Sequence, residues 1–384
     1  MSHDLAETFE GDLSTALDSG ADHETIADAF QRSTYRGREY FHLSAARHGI
    51  ERGTAIVGET IVPGFPSVPR VLVLDPGVEE FFDGPVALEE KLNGYNVRIS
   101  RAAGELFAFT RSGYICPFTT HVARQYSFDS FFDAYPDYTL CGELIGTNNP
   151  YTPHAYEEID DVGSQVDDVG IQVFDIRENG TGTPLDVETR YERCEQFDLP
   201  TVPRFGIAEH DDIASDVAEI ITDLDERGRE GVMMKSLDGT RQLKYTTSAT
   251  HRSDLAHAFS QPFDYGREFL FSRVIREAFQ AAERDESEQE RRERAQALGE
   301  AILLPTITAI ERVEDGAVIG DQHTIRGERT AIESLIAQFL SQGLRLEIED
   351  DYYEDGERIV EFCKVAQSSQ DKIAHYLDGG TIDQ

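Results

Sequence analysis

Tryptophan is absent from this chain and lysine is nearly so: Lys91, Lys235, Lys244, Lys364 and Lys372 are its five lysines, beside 30 arginines. Against these 35 bases stand 73 acids, a formal net charge of −38. So few bases exclude an ordinary basic nucleic-acid coat and a polybasic membrane binder. Acidic chains that also lack aromatics stay disordered, but here Phe and Tyr run from end to end, so a folded chain is expected. The acid-rich, lysine-poor balance suits a high-salt cytoplasm. At about 1 M salt the Debye length is roughly 3 Å, and surface carboxylates scarcely repel one another or a nucleic acid. Net charge therefore says little about the ligand.

Other absences narrow the choice further. The four cysteines, Cys116, Cys141, Cys194 and Cys363, lie 25, 53 and 169 residues apart, with no C-x-x-C pair or histidine cluster to complete a zinc site. They are expected to be reduced and buried. No run of 18 apolar residues occurs, and MSHDLAETFEGDL carries no basic region before an apolar one, so a cytoplasmic location is expected.

What is present divides into three regions. Residues 1–69 read as an N-terminal accessory module, with helical spacing at Leu5, Phe9, Leu13, Leu17, Ile26 and Phe30 and short β-like runs over 38–62. The connector PGFPSVP, Pro63 to Pro69, cannot continue a helix. Residues 70–250 alternate short β-runs with turns, among them VRIS, LFAFT, YTLCGELIG, GIQVFDIR, GVMMKS and RQLKYT, with a helix at 213–227. That pattern predicts a largely antiparallel mixed domain. Residues 251–384 read as helix-rich, with a β-like AVIGDQHTIRG, a helix near 328–342, a strand near 344–349 and a last helix near 355–377. Apolar stripes there (Leu335, Ile336, Phe339, Leu340; Ile359, Phe362, Val365) fit either a private core or a dimer surface.

The scarcity of lysine directs attention to the few that remain. A lysine in an apolar strand is costly unless it meets an anion or has a catalytic duty, because desolvation disfavours the ammonium. Lys91 precedes an Asn-Gly turn in EEKLNGYNVRIS, and Lys235 and Lys244 close or follow two further β-runs. In order along the chain come KLNGYNVR from Lys91, TRSG with Arg111, CGELIG with Glu143, VFD with Phe174 and Asp175, EGVMMK from Glu230 to Lys235, and LKY with Lys244. Singly each is weak, since K-x-N-G is most often a hairpin turn. Six in this order, 20, 32, 31, 55 and 14 residues apart, are far from chance.

This series resembles the covalent nucleotidyltransferase superfamily, and within it the archaeal type of homodimeric ATP-dependent RNA ligase. The resemblance implies an α+β fold: an ATP-grasp-like nucleotidyltransferase (adenylation) domain of antiparallel sheets with helices at 70–250, the accessory module before it, and a helical α/β dimerisation region after it. It implies ATP and Mg²⁺ or Mn²⁺ as cofactors, and RNA with 5′-phosphate and 3′-hydroxyl ends as substrate, with circularisation when both ends belong to one molecule. Lys91 would be the nucleophile that carries AMP. Such chemistry needs a neutral amine, which nearby cations and exclusion of water favour. Lys244 would meet the α-phosphate, with Lys235 as a second candidate. Glu143 would meet the ribose, Glu143 and Glu230 the metal, and Arg111 the ribose or the RNA 5′-phosphate. Phe174 would stack on adenine, with Asp175 as the other member of that pair. Asn96 would orient the phosphate in the second step, and Asn93 and Gly94 form the turn. Asn93 replaces the aspartate of DNA ligases and capping enzymes. Glu89 or Glu90 would meet the adenine edge. Tyr95 is expected to pack beside the turn, Arg98 to be a strand-face ion pair or a substrate contact, and His121, His154 and His251 to be solvated or core. A DNA ligase, a GTP-using capping enzyme and a non-catalytic RNA-end-binding module are the alternatives.

Overall fold

The computed structural model describes residues 3–156 and 169–381. The N-terminal helical spacing resolves into three short helices, His3–Thr8, Leu13–Ala16 and His23–Ala29, the last two started by Asp12 and Asp22 side chains that accept from Ser14 and Thr25 amides. They cover one face of a four-stranded antiparallel sheet, Gln31–Tyr35, Arg38–His42, Ala55–Val57 and Thr60–Val62. Its other face buries Tyr40, Val57 and Val62 against Phe107, Phe109 and Ile115 of the following region.

Two further antiparallel sheets frame the centre of the molecule. The first has the order Arg204–Ala208, Val86–Lys91, Gly231–Ser236, Gln242–Thr246, and buries its outer face against helices Gly77–Phe81 and Ile213–Glu226. The second has the order Glu105–Thr110, Tyr95–Ala102, Tyr138–Ile145, Gly170–Glu178. Helices Pro117–Ala123 and Phe128–Ala134 pack on it through Phe118, Val122, Phe128, Phe131 and Phe132. The Asn93-Gly94 turn is thus not a hairpin: it joins the last residue of a strand in one sheet to the first of a strand in the other. This is the α+β arrangement of two antiparallel sheets that the resemblance implies.

The C-terminal region differs from expectation in two ways. Residues 357–365 form a strand, Glu357–Val365, central between Gly320–Gly327 and Leu346–Glu354, and only Gln367–Leu377 is helical. The hairpin turns at Asp355-Gly356, both with positive φ (50° and 89°), a geometry this residue pair favours. The second difference is where the stripes go. Leu335, Phe339 and Phe362 share one buried core with Val97, Ile99 and Leu144, so these positions are not a private core, while Leu340 of the same stripe stays 56% exposed. Further exposed apolar side chains lie on the long helices Arg267–Glu283 and Glu288–Glu314, where Phe271 is 62%, Leu303 61% and Leu304 57% exposed. All four cysteines are free and buried, and among the described residues no helix is long and apolar enough to cross a membrane.

Candidate active site

A cleft of about 310 Å³ opens between the two central sheets, and its walls follow from strand register. On the first sheet Glu89 pairs with Met233, which pairs with Lys244; Lys91 pairs with Gly231. Side chains alternate along a strand, so Glu89 and Lys91 face the same side, as do Met233 and Lys235, and Gln242 and Lys244. The second sheet supplies Asn96, paired with Glu143, and Phe174. Lys91 therefore stands at the seam, with Arg111 and Glu143 opposite and Lys244 beside it.

Glycine at position 94 is required by this seam. A Cβ there would lie 2.5 Å from the Leu144 carbonyl oxygen and 2.8 Å from Glu143 Cγ, so the turn after Lys91 rests directly on the strand that carries Glu143. Gly94→Ala should slow covalent labelling of the enzyme by α-labelled ATP about 100-fold, the cost of displacing a reacting group by about 1 Å. An unchanged initial rate would show that the turn has slack. The glycine before Glu143 has a similar reason: a Cβ on Gly142 would meet Gln172 O at 3.0 Å, so it admits the neighbouring strand and not a nucleotide.

Charges are distributed unevenly around Lys91. Its ammonium donates to Glu230 Oε2 at 2.7 Å. Burial pushes Glu143 up to about 7; Lys91 opposes this and Glu230 reinforces it. Burial, together with the Arg70 and Lys91 cations, lowers Lys244 to about 8. Glu143, with the Glu230 carboxylate near enough to raise it, fits a site for a divalent cation, although no group of three or more His, Cys, Asp or Glu side chains gathers among the described residues. Phosphate oxygens and water would have to complete its shell, as suits Mg²⁺. Asn96 Oδ1 is buried beside the cleft without a hydrogen-bond partner in the described structure, an acceptor awaiting a donor.

Several sequence expectations need correction. Neither Glu89 nor Glu90 is free to read a base edge. Glu89 accepts from Arg190, from Lys235 at 2.8 Å and from the Tyr191 hydroxyl at 2.7 Å, while Glu90 accepts from Arg229 at 2.5 Å. Lys235 is accordingly committed: its Nζ donates to Phe174 O at 2.6 Å and to Glu89, so it supports the phenylalanine and not a phosphate. Asp175 does not line the cleft: it is buried, bound to Arg177 at 2.9 Å and accepting from the cleft residue Gln242 at 3.2 Å, and the strand pairing is irregular at Phe174 beside it. Asn93 contributes its backbone N–H, which donates to the Tyr156 hydroxyl, and its side chain does not line the cleft. Arg98 is neither an ion pair nor a substrate contact. It is fully buried and donates to the carbonyls of Gly53 (2.6 Å), Pro63 (2.8 Å) and Thr110. His251 is a core residue between Thr246 and Glu277, at 2.7 Å from each.

The sequence reading also missed members of the site. Phe65, from the proline-rich connector, stands edge-on to Phe174 with centroids 5.1 Å apart, forming an aromatic wall. Tyr95 does pack beside the turn, and its partner is Tyr151, stacked at 3.9 Å. The C-terminal region reaches the same loop: Lys364 donates to Pro150 O and lies over the Phe339 ring at 4.7 Å. These contacts had no local signal, since each joins residues far apart in sequence.

Comparison with known proteins places this geometry. The family described as RNA ligase matches residues 84–247, and the one described as Ligase Pab1020 C-terminal region matches residues 257–380. Two forms of an archaeal ATP-dependent RNA ligase are 39% identical to this chain, with TM-scores of 0.87 and 0.88, covering 96% of this chain and 98% of theirs. An uncharacterised protein of Methanocaldococcus jannaschii, MJ0414, is 38% identical over 368 residues, 91% of this chain and 92% of that one. With nearly its whole length matched in sequence and in fold, this chain belongs to the archaeal ATP-dependent RNA ligase family.

Proposed function

We propose that the chain joins RNA ends in three steps, with Lys91 as the covalent carrier of AMP. Lys91 Nζ attacks the α-phosphorus of ATP; the N–P bond forms and the bond to pyrophosphate breaks. AMP then passes to an RNA 5′-phosphate, and a 3′-hydroxyl displaces it to form the phosphodiester. The observation that carries this reading is the seam itself. One lysine stands between two sheets that present an aromatic wall at one end and Arg111, Glu143 and Lys244 at the other, around a cavity within the range that encloses small ligands.

The roles follow from chemistry. Phe174 and Phe65 offer a flat face and an edge to adenine, with Lys235 and Arg190 holding the Phe174 carbonyl. Glu230 Oε2, 2.7 Å from Nζ, is placed to take the proton that Lys91 must lose. Lys244 and Arg111 are fixed cations aimed where phosphate charge develops, and Asn96 Oδ1 can accept from a hydroxyl of the joining strand. A divalent cation, Mg²⁺ or Mn²⁺, held by Glu143 and Glu230 would neutralise phosphate oxygens. We infer further that the exposed apolar face of the two long helices pairs two copies of the chain, that joining within one RNA yields circles, and that the enzyme works in a high-salt cytoplasm.

The test is incubation of full-length protein with α-labelled ATP or α-labelled GTP and Mg²⁺ in molar potassium chloride, followed by denaturing electrophoresis. Label from ATP should remain on the wild-type chain in an acid-labile, base-stable bond and vanish in Lys91→Ala. Label from GTP would point to capping chemistry, and a folded protein that takes label from neither would end the lysyl-nucleotide reading.

A further inference from the structure

The loop that carries Arg111 is built jointly by two parts of the chain. Arg98 ties Gly53 and Pro63 of the N-terminal module to Thr110, and His42 Nδ1 lies 3.1 Å from Ser112 O. The backbones touch: a Cβ on Gly53 would lie 2.3 Å from Arg111 O, and one on Gly113 would lie 2.9 Å from Gly53 O. The module thereby sets the direction of Arg111 into the cleft. Next to Gly53, the exposed Arg52 donates through Nη2 to Ser112 Oγ at 2.6 Å.

Arg52 and Arg111 are alike in their charge surroundings. Acids outnumber bases 73 to 35, yet among the described residues neither arginine has a carboxylate within ion-pair distance. Other exposed arginines divide, Arg32 and Arg38 meeting acids and Arg36 and Arg47 meeting none among the described residues, so what sets Arg52 apart is its hydrogen bond to the loop that carries Arg111 of the cleft. Here Arg111 lines the cleft, Ser112 follows it in the chain, and Arg52 donates to the Ser112 hydroxyl, whose own proton remains available, so three donor groups stand on neighbouring residues at this edge of the site. Planar forks without an acidic partner match phosphate oxygens.

We propose that Arg52, together with Ser112 and Arg111, seats a backbone phosphate of the RNA strand that presents its 5′-phosphate end. The proposal rests on the ligase reading given above. Lys91 and the aromatic wall account for AMP, Arg111 lines the cleft, and Arg52 of the N-terminal module stands against Ser112, the next residue of the Arg111 loop, where the strand behind the reacting end would pass. It gives the N-terminal module a direct share in substrate binding. Contacts of this kind carry no base information, so the seat should serve RNAs of any end sequence.

The experiment uses full-length wild type, Arg52→Ala and Arg52→Lys, with three readouts: label transfer from α-labelled ATP, joining of 5′-phosphorylated single-stranded RNA, and sealing of pre-adenylylated RNA, each over a potassium chloride series. In Arg52→Ala the KM for both RNAs should rise about tenfold, and the slope of log affinity against log salt should flatten by about 0.7, the share of one phosphate contact on a single strand. Arg52→Lys should recover the slope while regaining only part of the affinity, since a point charge replaces a fork. The fold-loss on RNA should far exceed any loss in label transfer from ATP. Equal losses in all three assays would overturn the proposal, because Arg52 would then only pin the Ser112 loop; so would an unchanged KM and salt slope. A failure of the underlying ligase reading shows separately, as wild-type enzyme that takes no label.

Discussion

Lys91→Met should reduce joining of 5′-phosphorylated RNA to background while leaving the sealing of pre-adenylylated RNA within about tenfold of wild type. The asymmetry follows from where the lysine acts. In the proposed route its amine splits the condensation into activated steps, and without it no AMP would reach the RNA end. When the RNA already carries AMP, only the attack of the 3′-hydroxyl remains, which relies on positioning and on fixed cations such as Lys244 and Arg111. Methionine keeps the length and apolar stem of lysine, so the strand Val86–Lys91 is little disturbed. Removing the ammonium does leave Glu230 without its 2.7 Å partner, a loss that the remaining cations of the cleft must cover. The measurement is gel analysis of both substrates in single turnover. Equal loss on both would mean that Lys91 also serves the final step; residual joining of plain 5′-phosphate RNA would mean that another nucleophile carries AMP.

Why the site could be read from the sequence, and its support could not, follows from the kind of constraint on each residue. Lys91, Glu143, Glu230 and Lys244 are of the types that the proposed chemistry would dictate, and such chemistry permits few residue types and leaves an ordered trace along the chain. Gly94 is dictated by contact with Leu144 O, and the sequence shows the glycine but not the neighbour. Arg190 and Arg229 look like ordinary arginines of a charged chain, and only the fold brings them to Glu89 and Glu90, 101 and 139 residues away. Glu89 and Glu90 were thus visible as acids beside the nucleophile, but their ion pairs, which decide what they do, were not. The fold has the same limit. Ile359, Phe362 and Val365, three residues apart, follow a helical period, whereas the strand buries the pairs Ile359-Val360 and Phe362-Cys363, which use both of its faces. Asp355-Gly356, a hairpin signal, settles the matter in favour of the strand, and the strand's place between two others lies beyond any local pattern.

The buried network under Phe174 should dominate stability, and its removal should be felt at two pH values in different ways. Glu89, Lys235 and Arg190 have side chains 1%, 3% and 3% exposed, and Tyr191 adds a hydroxyl donor. Burial opposes ionisation of Glu89, but Lys235 and Arg190 outweigh it and hold the carboxyl down to about 2, from 4.5. That depression is worth roughly 3 kcal/mol. Because the folded value lies below the unfolded one, this stability is complete above pH 4.5 and is lost as pH falls toward 2. Arg190→Met leaves Glu89 with one cation in place of two, and breaking a buried ionic network on one side costs about 3–5 kcal/mol. Urea unfolding at pH 7 should show that loss, and the acid transition should move to higher pH, since Lys235 alone holds the carboxylate less firmly. Replacing all three by apolar residues, Glu89→Leu with Arg190→Met and Lys235→Met, should recover much of the pH 7 stability, because no charge is left stranded. The triple variant should nevertheless bind ATP poorly: Lys235 and Arg190 both donate to the Phe174 carbonyl, and without them the aromatic wall loses its support. A triple variant as unstable as Arg190→Met would show that packing volume matters here more than charge. A single variant with an unchanged midpoint at both pH values would show that the network carries no net stability, leaving the placement of Phe174 as its remaining use.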